Sequence, residues 1–145
     1  MVEIHDSIDI QASEEVVWEF ISHLENITRW YTKMVGYGQL DEGDMGVGSY
    51  FRLDWIVNDH AEPCECNIVT WAPPTEISFH VSNIDMVEAD ITWLITVQNG
   101  SSRVDVRESI EMARSNSFED RFFVGPEAES RLQDNLKALK GLLES

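Results

Sequence analysis

The sequence predicts an α+β fold, in which a strongly curved antiparallel sheet of six to seven strands wraps around a long C-terminal helix. Two short helices are expected after the first strand. The prediction rests on two patterns: apolar and polar residues alternate over most of residues 34–112, and a single long stretch near the C-terminus has helical spacing instead. Because strands that share one apolar face need a cover, that helix has to provide it.

The N-terminal part predicts a strand followed by helices. Apolar residues occupy alternate positions over residues 2–10, which indicates a strand with one buried face. Ser13 is a favourable N-cap, and the apolar residues after it recur at helical spacing until residues 23–26. A short second helix is predicted around Trp30 and Tyr31.

The central part predicts antiparallel strands joined by short turns. A short strand is expected over residues 35–40, a connecting turn from Asn58 to Pro63, and a hairpin turn at residues 99–102, where Asn-Gly is typical of tight hairpins. The alternating apolar residues that define the other strands are Phe51, Leu53, Trp55 and Val57; Cys64, Cys66 and Ile68; Ile77, Phe79 and Val81; Val87, Ala89, Ile91, Trp93, Ile95 and Val97; and Val104, Val106, Ile110 and Met112.

The C-terminal part predicts the long helix. Pro126 suits a first helical turn, and the residues after it form one apolar stripe. Phe118, Phe122 and Phe123 precede the helix and are candidates for a mouth or lid, with Gly125-Pro126 as its hinge. The alternative is that these rings are buried at a kinked helix start. The residues of the stripe are Ala128, Leu132, Leu136, Leu139 and Leu143.

The charge of the chain disfavours two classes of partner. The 145 residues carry 27 acidic and 10 basic side chains, for a formal net charge of −17. Such a surface repels phosphate backbones and anionic lipid, so we expect no nucleic acid partner and no membrane-surface partner. No apolar run reaches the roughly 20 residues that cross a bilayer, so membrane insertion is not expected either. No secretory signal is visible at the N-terminus, and a cytoplasmic location is expected.

The composition also suggests a salt response. Lysine is scarce, with three lysines against seven arginines. Many acids with few lysines suit high salt, because screening removes the self-repulsion of the chain. A halophilic origin is therefore a hypothesis.

No metal or cofactor is predicted. Residues 59–66 contain every kind of metal ligand, yet strand alternation directs His60, Glu62 and the cysteines unfavourably, and no second group completes a site. We interpret Cys64 and Cys66 as small buried hydrophobic residues in a reducing compartment.

Glu108 is the sharpest functional candidate. Alternation places it on the same face as Val106 and Ile110, and a carboxylate on an apolar wall must be paired, hydrogen-bonded or neutralised. It is then a polar anchor for a ligand or a general acid/base. The alternative is a bulge or strand end that turns Glu108 to solvent. Asp6 poses the same question on the first strand, and the two carboxyls could share a proton if both face inward.

A twisted sheet opens away from the helix that it grips, so side chains need not fill the gap completely. We therefore predict an apolar cavity between the sheet and the C-terminal helix. Ordinary core packing is the alternative for each aromatic residue that we place there. The residues predicted to line this cavity are Trp30, Phe51, Trp55, Phe79, Trp93, Glu108, Phe118 and Phe122.

Several segments carry a family resemblance over nearly the whole chain. They are residues 8–18, with the Ala-x-x-x-x-Val-Trp helix start; 26–30, ending in Trp30; 46–48; 69–79, with the Pro73-Pro74 corner; and 136–144. Together and in this order they resemble the SRPBCC superfamily of START lipid-transfer domains, pollen-allergen-like proteins and polyketide cyclase/dehydrase-like proteins. The resemblance implies a helix-grip fold with residues 1–145 as one domain, nearest to the cyclase and lipid-transport branch.

Three functions follow as hypotheses. The first is binding or transport of a hydrophobic small molecule, such as a lipid, polyketide or aromatic metabolite, in the internal cavity. The second is a cyclase or dehydratase acting on a polyketide-like substrate, with Glu108 and Asp6 as candidate acid/base groups. The third is a co-chaperone-like interaction module whose outer surface matters. The expected partner is a hydrophobic ligand, and the chain is expected to be a monomer or a homodimer.

Overall fold

The computed structural model describes residues 2–57, 59–83, 87–112 and 126–144. Within these residues it confirms the predicted α+β class, with seven antiparallel strands, two short helices and a long C-terminal helix. The elements in chain order are β1 (Val2–Ile10), α1 (Glu14–Ile21), a 3-10 turn (Leu24–Asn26), α2 (Ile27–Trp30), β2 (Met34–Gln39), β3 (Tyr50–Val57), β4 (His60–Ala72), β5 (Glu76–Asn83), β6 (Val87–Gln98), β7 (Ser101–Met112) and α3 (Pro126–Glu144).

The strands form one sheet in the order β1-β7-β6-β5-β4-β3-β2, so β1 and β2 are its edges. Buried residues alternate with partly buried ones along β5 and with mostly exposed ones along β6, which confirms that one face of the sheet is covered. The register shifts at Met34/Gly36 in β2 and at Ile68/Thr70 in β4. Such irregularities bend a strand and increase its twist, which suits a sheet that grips a helix.

The predicted turn from Asn58 to Pro63 is wrong. Val57 pairs with His60, so β4 begins at His60 and only two residues connect it to β3. Asp59 adopts a left-handed conformation (φ 63°), which lets so short a turn close. Pro63 is tolerated within β4 because the pairing with β5 starts only at Glu65, so its missing N–H removes no bond on that side.

The predicted hairpin turn between β6 and β7 is confirmed. Gln98 pairs with Ser101, which leaves Asn99 and Gly100 as the two-residue loop. Both have positive φ, 44° and 87°, the conformation for which this dipeptide is favoured.

The helix α3 packs its apolar stripe against the sheet, as predicted. The buried positions are Ala128, Leu132, Leu136 and Leu139, while Leu143 is only partly buried. Its C-terminal end is tied to the end of β1: the Lys140 ammonium donates to the carbonyl of Asp9 (2.8 Å), and the Glu144 carboxylate accepts from the Gln11 amide (2.7 Å) and from Lys140 (2.6 Å). Of the helices that the structure describes, none combines the length and apolar character needed to cross a membrane.

Candidate functional site

Glu108 lies on the inner face of the sheet. It is in regular register on β7, paired with Ile4 of β1 and Ile91 of β6, and it is 7% exposed. No bulge or strand end turns it to solvent. The carboxyl group therefore sits among the apolar side chains that α3 covers.

A chain of hydrogen bonds satisfies this carboxyl group. Tyr31, the residue directly after α2, donates its hydroxyl proton to Glu108 at 2.5 Å. The indole N–H of Trp93 donates in turn to the Tyr31 oxygen at 3.1 Å. Both bonds are buried, and polar networks of this kind fix the position of every member.

The environment favours the protonated acid. Burial raises the pKa of Glu108 from its ordinary value of 4.5, and neither the Tyr31 hydroxyl nor the nearby positive charge of Arg131 offsets this completely. Burial, together with the charge of Glu108, also raises the pKa of Tyr31 well above 10.0. The phenol therefore stays neutral at physiological pH. The site thus offers a carboxyl group that is easier to keep protonated than an exposed one.

A small cavity adjoins Glu108 beneath the N-terminal half of α3. Its volume of about 20 Å³ is enough for one water molecule. The Arg131 guanidinium is partly buried here, 3.8 Å from the Glu127 carboxylate, and burial lowers its pKa. The side-chain oxygen of Asn135 accepts from the Thr32 amide at 3.0 Å. The cavity is lined by Tyr31, Lys33, Met34, Trp55, Glu108, Ile110, Ala128, Arg131, Leu132 and Asn135.

Asp6 belongs to a second crevice between β1 and α3. This crevice has a volume of about 200 Å³ and is lined by His5, Asp6, Glu129, Leu132 and Gln133. Leu132 lines both spaces and is buried, so it separates them.

Asp6 and Glu108 share the inner face, because Asp6 pairs with Val106, two residues before Glu108. Asp6 accepts a hydrogen bond from the Ser7 amide at 2.8 Å, and within the part of the chain that the structure describes no hydrogen bond joins it to Glu108. The two carboxyls are therefore separate groups and not a proton-sharing pair in this arrangement.

The remaining aromatic candidates form a packed cluster. Ring centroids lie 5.0 Å apart for Trp30 and Trp93, 5.2 Å for Phe79 and Trp93, and 5.6 Å for Phe51 and Phe79. Of the predicted aromatic lining, Trp55 contributes to the cavity beside Glu108.

The Trp30 indole N–H is buried without a hydrogen-bond acceptor among the described residues. An unsatisfied buried donor of this kind costs about 1–3 kcal/mol, unless a bound molecule supplies the acceptor. The other aromatic candidates, Phe118, Phe122 and Phe123, lie outside the residues that the structure describes.

Four polar residues of the site were not predicted for it: Tyr31, Lys33, Arg131 and Asn135. Asn135 had a visible signal, because it falls three residues after Leu132 on the buried side of a helix whose other buried positions are apolar. Tyr31 and Arg131 had none, because their proximity to Glu108 depends on tertiary structure.

Metal-ligating residues do not cluster in the described ranges: no group of three His, Cys, Asp or Glu residues there could hold an ion. Cys64 and Cys66 are free and buried, as predicted. Burial raises the pKa of the Cys64 thiol to about 12 and that of Cys66 further still, so both thiols are unreactive.

Comparisons with known structures agree with this fold. A START superfamily protein from Mycobacterium smegmatis has a TM-score of 0.78 at 19% identity, covering 97% of this chain and 96% of that one. A protein from Thermus thermophilus has a TM-score of 0.79 at 16% identity, covering 98% and 97%. The di-domain ARO/CYC BexL from the BE-7585A biosynthetic pathway has a TM-score of 0.72 at 18% identity, and the match covers 97% of this chain and 46% of BexL.

No curated protein sequence matches the chain. The family described as "Polyketide cyclase / dehydrase and lipid transport" matches residues 1–144. The predicted resemblance to the SRPBCC superfamily is therefore confirmed, and the chain belongs to its polyketide cyclase/dehydrase and lipid transport family.

Proposed function

We propose that this protein binds a hydrophobic small molecule between the inner face of the sheet and the N-terminal half of α3, with Glu108 and Tyr31 as the polar anchor. One observation carries the proposal. A buried carboxyl group, hydrogen-bonded to a buried tyrosine, adjoins unfilled space on a wall that is otherwise apolar.

The energetics favour a ligand that is mostly apolar. Each Å² of apolar surface removed from water contributes about 25 cal/mol, so burial supplies most of the affinity and a few polar contacts fix the orientation. A protonated Glu108 donates one hydrogen bond to a ligand oxygen. The unsatisfied Trp30 N–H is a further donor in the same aromatic cluster.

The space available sets a condition on binding. The cavity beside Glu108 has about 20 Å³ and the crevice beside Asp6 about 200 Å³, with Leu132 between them. To enter the cavity beside Glu108, a ligand larger than water must therefore displace side chains. Lys33 and Arg131 are suited to this, because both are long and partly exposed, so their aliphatic stems can shift while their charged groups stay at the edge of the cavity.

The family and the similar structures support the same class of ligand. The family description names lipid transport and polyketide cyclases, and BexL is a protein of a biosynthetic pathway. A transport role and the identity of the ligand are further parts of the proposal.

The first experiment measures binding of N-phenyl-1-naphthylamine, an uncharged apolar dye that fluoresces in apolar surroundings. The parent protein should bind it stoichiometrically. Ala128→Leu should weaken binding at least tenfold, because Ala128 is 2% exposed and lines the cavity. Ala138→Leu is the matched control, since this position lies on the same helix but away from the cavity.

Native mass spectrometry of the freshly purified protein complements the dye, and a co-purifying apolar molecule is the expected result. Thermal unfolding and near-UV circular dichroism should show that both variants are folded. A parent protein that neither carries a molecule nor binds the dye would refute the proposal. Equal loss of binding in the two variants would show that the dye binds elsewhere.

A second candidate function is favoured by the raised pKa of Glu108. A carboxyl group with a raised pKa keeps its proton more readily than an exposed one and can act as a proton donor, as a cyclase or dehydratase requires. In a dehydration, Glu108 would give its proton to a departing hydroxyl group, which leaves as water. The carboxylate would take a proton from the neighbouring carbon as the double bond forms.

Glu108→Gln separates this enzymatic role from binding alone. Glutamine keeps the shape of the side chain but cannot transfer the proton, so turnover of a hydroxylated polyketide-like substrate should fall at least a hundredfold with little change in binding. A variant that is as fast as the parent would remove the catalytic role and leave the binding role.

A further inference from the structure

The polar side chains that line the cavity beside Glu108 are mainly hydrogen-bond donors and cations. This is unusual in a chain with 27 acidic and 10 basic residues. One of the three lysines, Lys33, and one of the seven arginines, Arg131, line the same cavity of about 20 Å³.

Arg131 is the cation whose charge acts on the buried acid. It opposes the rise in the pKa of Glu108, and its guanidinium is partly buried in the wall of the cavity. The Glu127 carboxylate, one helical turn earlier, is 3.8 Å away and is exposed. A guanidinium carries five N–H donors, so it can bind an anion while it keeps other partners.

Asn135 adds a neutral donor. The residue is 6% exposed, and its side-chain oxygen is already used by the Thr32 amide. This fixes the amide orientation and leaves its NH₂ group, for which the described residues offer no acceptor. The Tyr31 hydroxyl is also committed, since it donates to Glu108 and accepts from Trp93.

The balance of these groups selects the ligand. A neutral carbonyl would use one donor, whereas an anionic oxygen group would use several and would form stronger, charge-assisted hydrogen bonds with the cations. We infer that the cavity receives the carboxylate, or another anionic oxygen group, of an otherwise apolar ligand, held by Arg131, Lys33 and Asn135. This inference rests on the proposed function, because it names the chemical class of the ligand that the same site binds.

Two dyes with the same aromatic frame test the inference. One is N-phenyl-1-naphthylamine, which is uncharged, and the other is 1-anilinonaphthalene-8-sulfonate, which adds a sulfonate. The parent protein should bind the sulfonate at least as tightly as the neutral dye, although its net charge of −17 repels anions. This preference should weaken as the salt concentration is raised, because the contribution of the sulfonate group to the affinity is electrostatic.

Arg131→Gln and Lys33→Gln are the informative variants. Each should lower the affinity for the sulfonate about tenfold, the loss expected for a hydrogen bond to a charged group, and leave the affinity for the neutral dye within about twofold. Lys137→Gln is the matched control, because it removes the same charge from an exposed position of α3. It should change neither affinity by more than about twofold.

The outcomes distinguish the inference from the proposed function. The inference would be overturned if Lys137→Gln and Arg131→Gln changed the affinity for the sulfonate dye equally. If the neutral dye still bound, the proposed hydrophobic site would stand. An equal fall in the affinity for both dyes in Arg131→Gln and Lys33→Gln would also overturn the inference, because these residues would then shape the cavity and not recognise charge. Failure of both dyes to bind the parent protein would refute the proposed function itself.

Discussion

The two halves of α3 contact the rest of the molecule in different ways. In the C-terminal half, Leu136 and Leu139 are buried, and Lys140 and Glu144 bind the end of β1. In the N-terminal half, buried Leu132 lies between two unfilled spaces. Both halves of the helix therefore bury their apolar residues, but unfilled space adjoins only the N-terminal half among the spaces described above.

The difference follows from the side chains on the buried side of the helix. Leucine fills the space where the contact is tight. Where it is loose, the helix presents the small Ala128 and the polar Arg131 and Asn135, opposite Glu108 and Tyr31 on the sheet side. A polar interior needs defined hydrogen-bond geometry and cannot be packed as freely as an apolar one. The cavity therefore lies where polar residues interrupt the apolar stripe of the helix.

Truncating one leucine in each half should have the largest effect. Leu139→Ala should lower the free energy of unfolding by about 4 kcal/mol, and Leu132→Ala by about 2–3 kcal/mol, because a site beside existing space has fewer contacts to lose. Leu132→Ala should also join the two spaces and increase the affinity for the neutral naphthylamine dye. Urea denaturation and dye titration measure the two effects. Equal destabilisation by the two substitutions, with unchanged dye binding, would contradict the proposed difference between the two halves of α3.

The pH dependence of stability should distinguish Glu108 from the rest of the chain. Since its pKa is raised in the folded state, the native protein binds more protons than the unfolded one, and the contribution of Glu108 falls as pH rises above 4.5. Glu108→Gln has no such proton to lose. Its stability relative to the parent should therefore improve as pH rises from 4.5 through the folded-state pKa of Glu108 and then level off, which urea denaturation series measure.

Tyr31→Phe sharpens this test. It removes the hydrogen bond that lowers the pKa of Glu108, so the loss of stability should extend to higher pH than in the parent. The charge of Arg131 acts in the same direction as the lost bond and is unchanged in this variant. A difference between Glu108→Gln and the parent that does not vary with pH would contradict a buried acid.

The smallest effect is expected at the tied end of α3. Lys140→Gln removes the contacts of the ammonium with the Asp9 carbonyl and Glu144, so the melting temperature should fall slightly. The difference in melting temperature between this variant and the parent should become smaller in molar salt, because salt screens the ion pair. Dye binding should not change, since the cavity lies at the other half of the helix. A loss of dye binding in this variant would show that the two halves are coupled.

The sequence pattern was sufficient for the sheet, because the strands follow a period of two. For Glu108 the same period indicated an inward position but left open a bulge or strand end, and the regular register of β7 decides between them. The pattern failed at the β3–β4 turn, where Pro63 suggested a loop, because the extent of the β4–β5 pairing decides whether proline is tolerated. The residues that contact Glu108 could not be predicted from the sequence pattern either. Tyr31 is 77 residues away in sequence, and only the closed fold brings the two together.

The hydrogen bond from Trp93 to Tyr31 has a practical consequence. It places an indole one step away from the carboxyl group, so a change in the charge of Glu108 alters the polarity around an intrinsic fluorophore. Occupancy and protonation of the site should therefore appear in the tryptophan emission of the unlabelled protein. Candidate ligands can therefore be screened by the intrinsic fluorescence of the protein, without a dye.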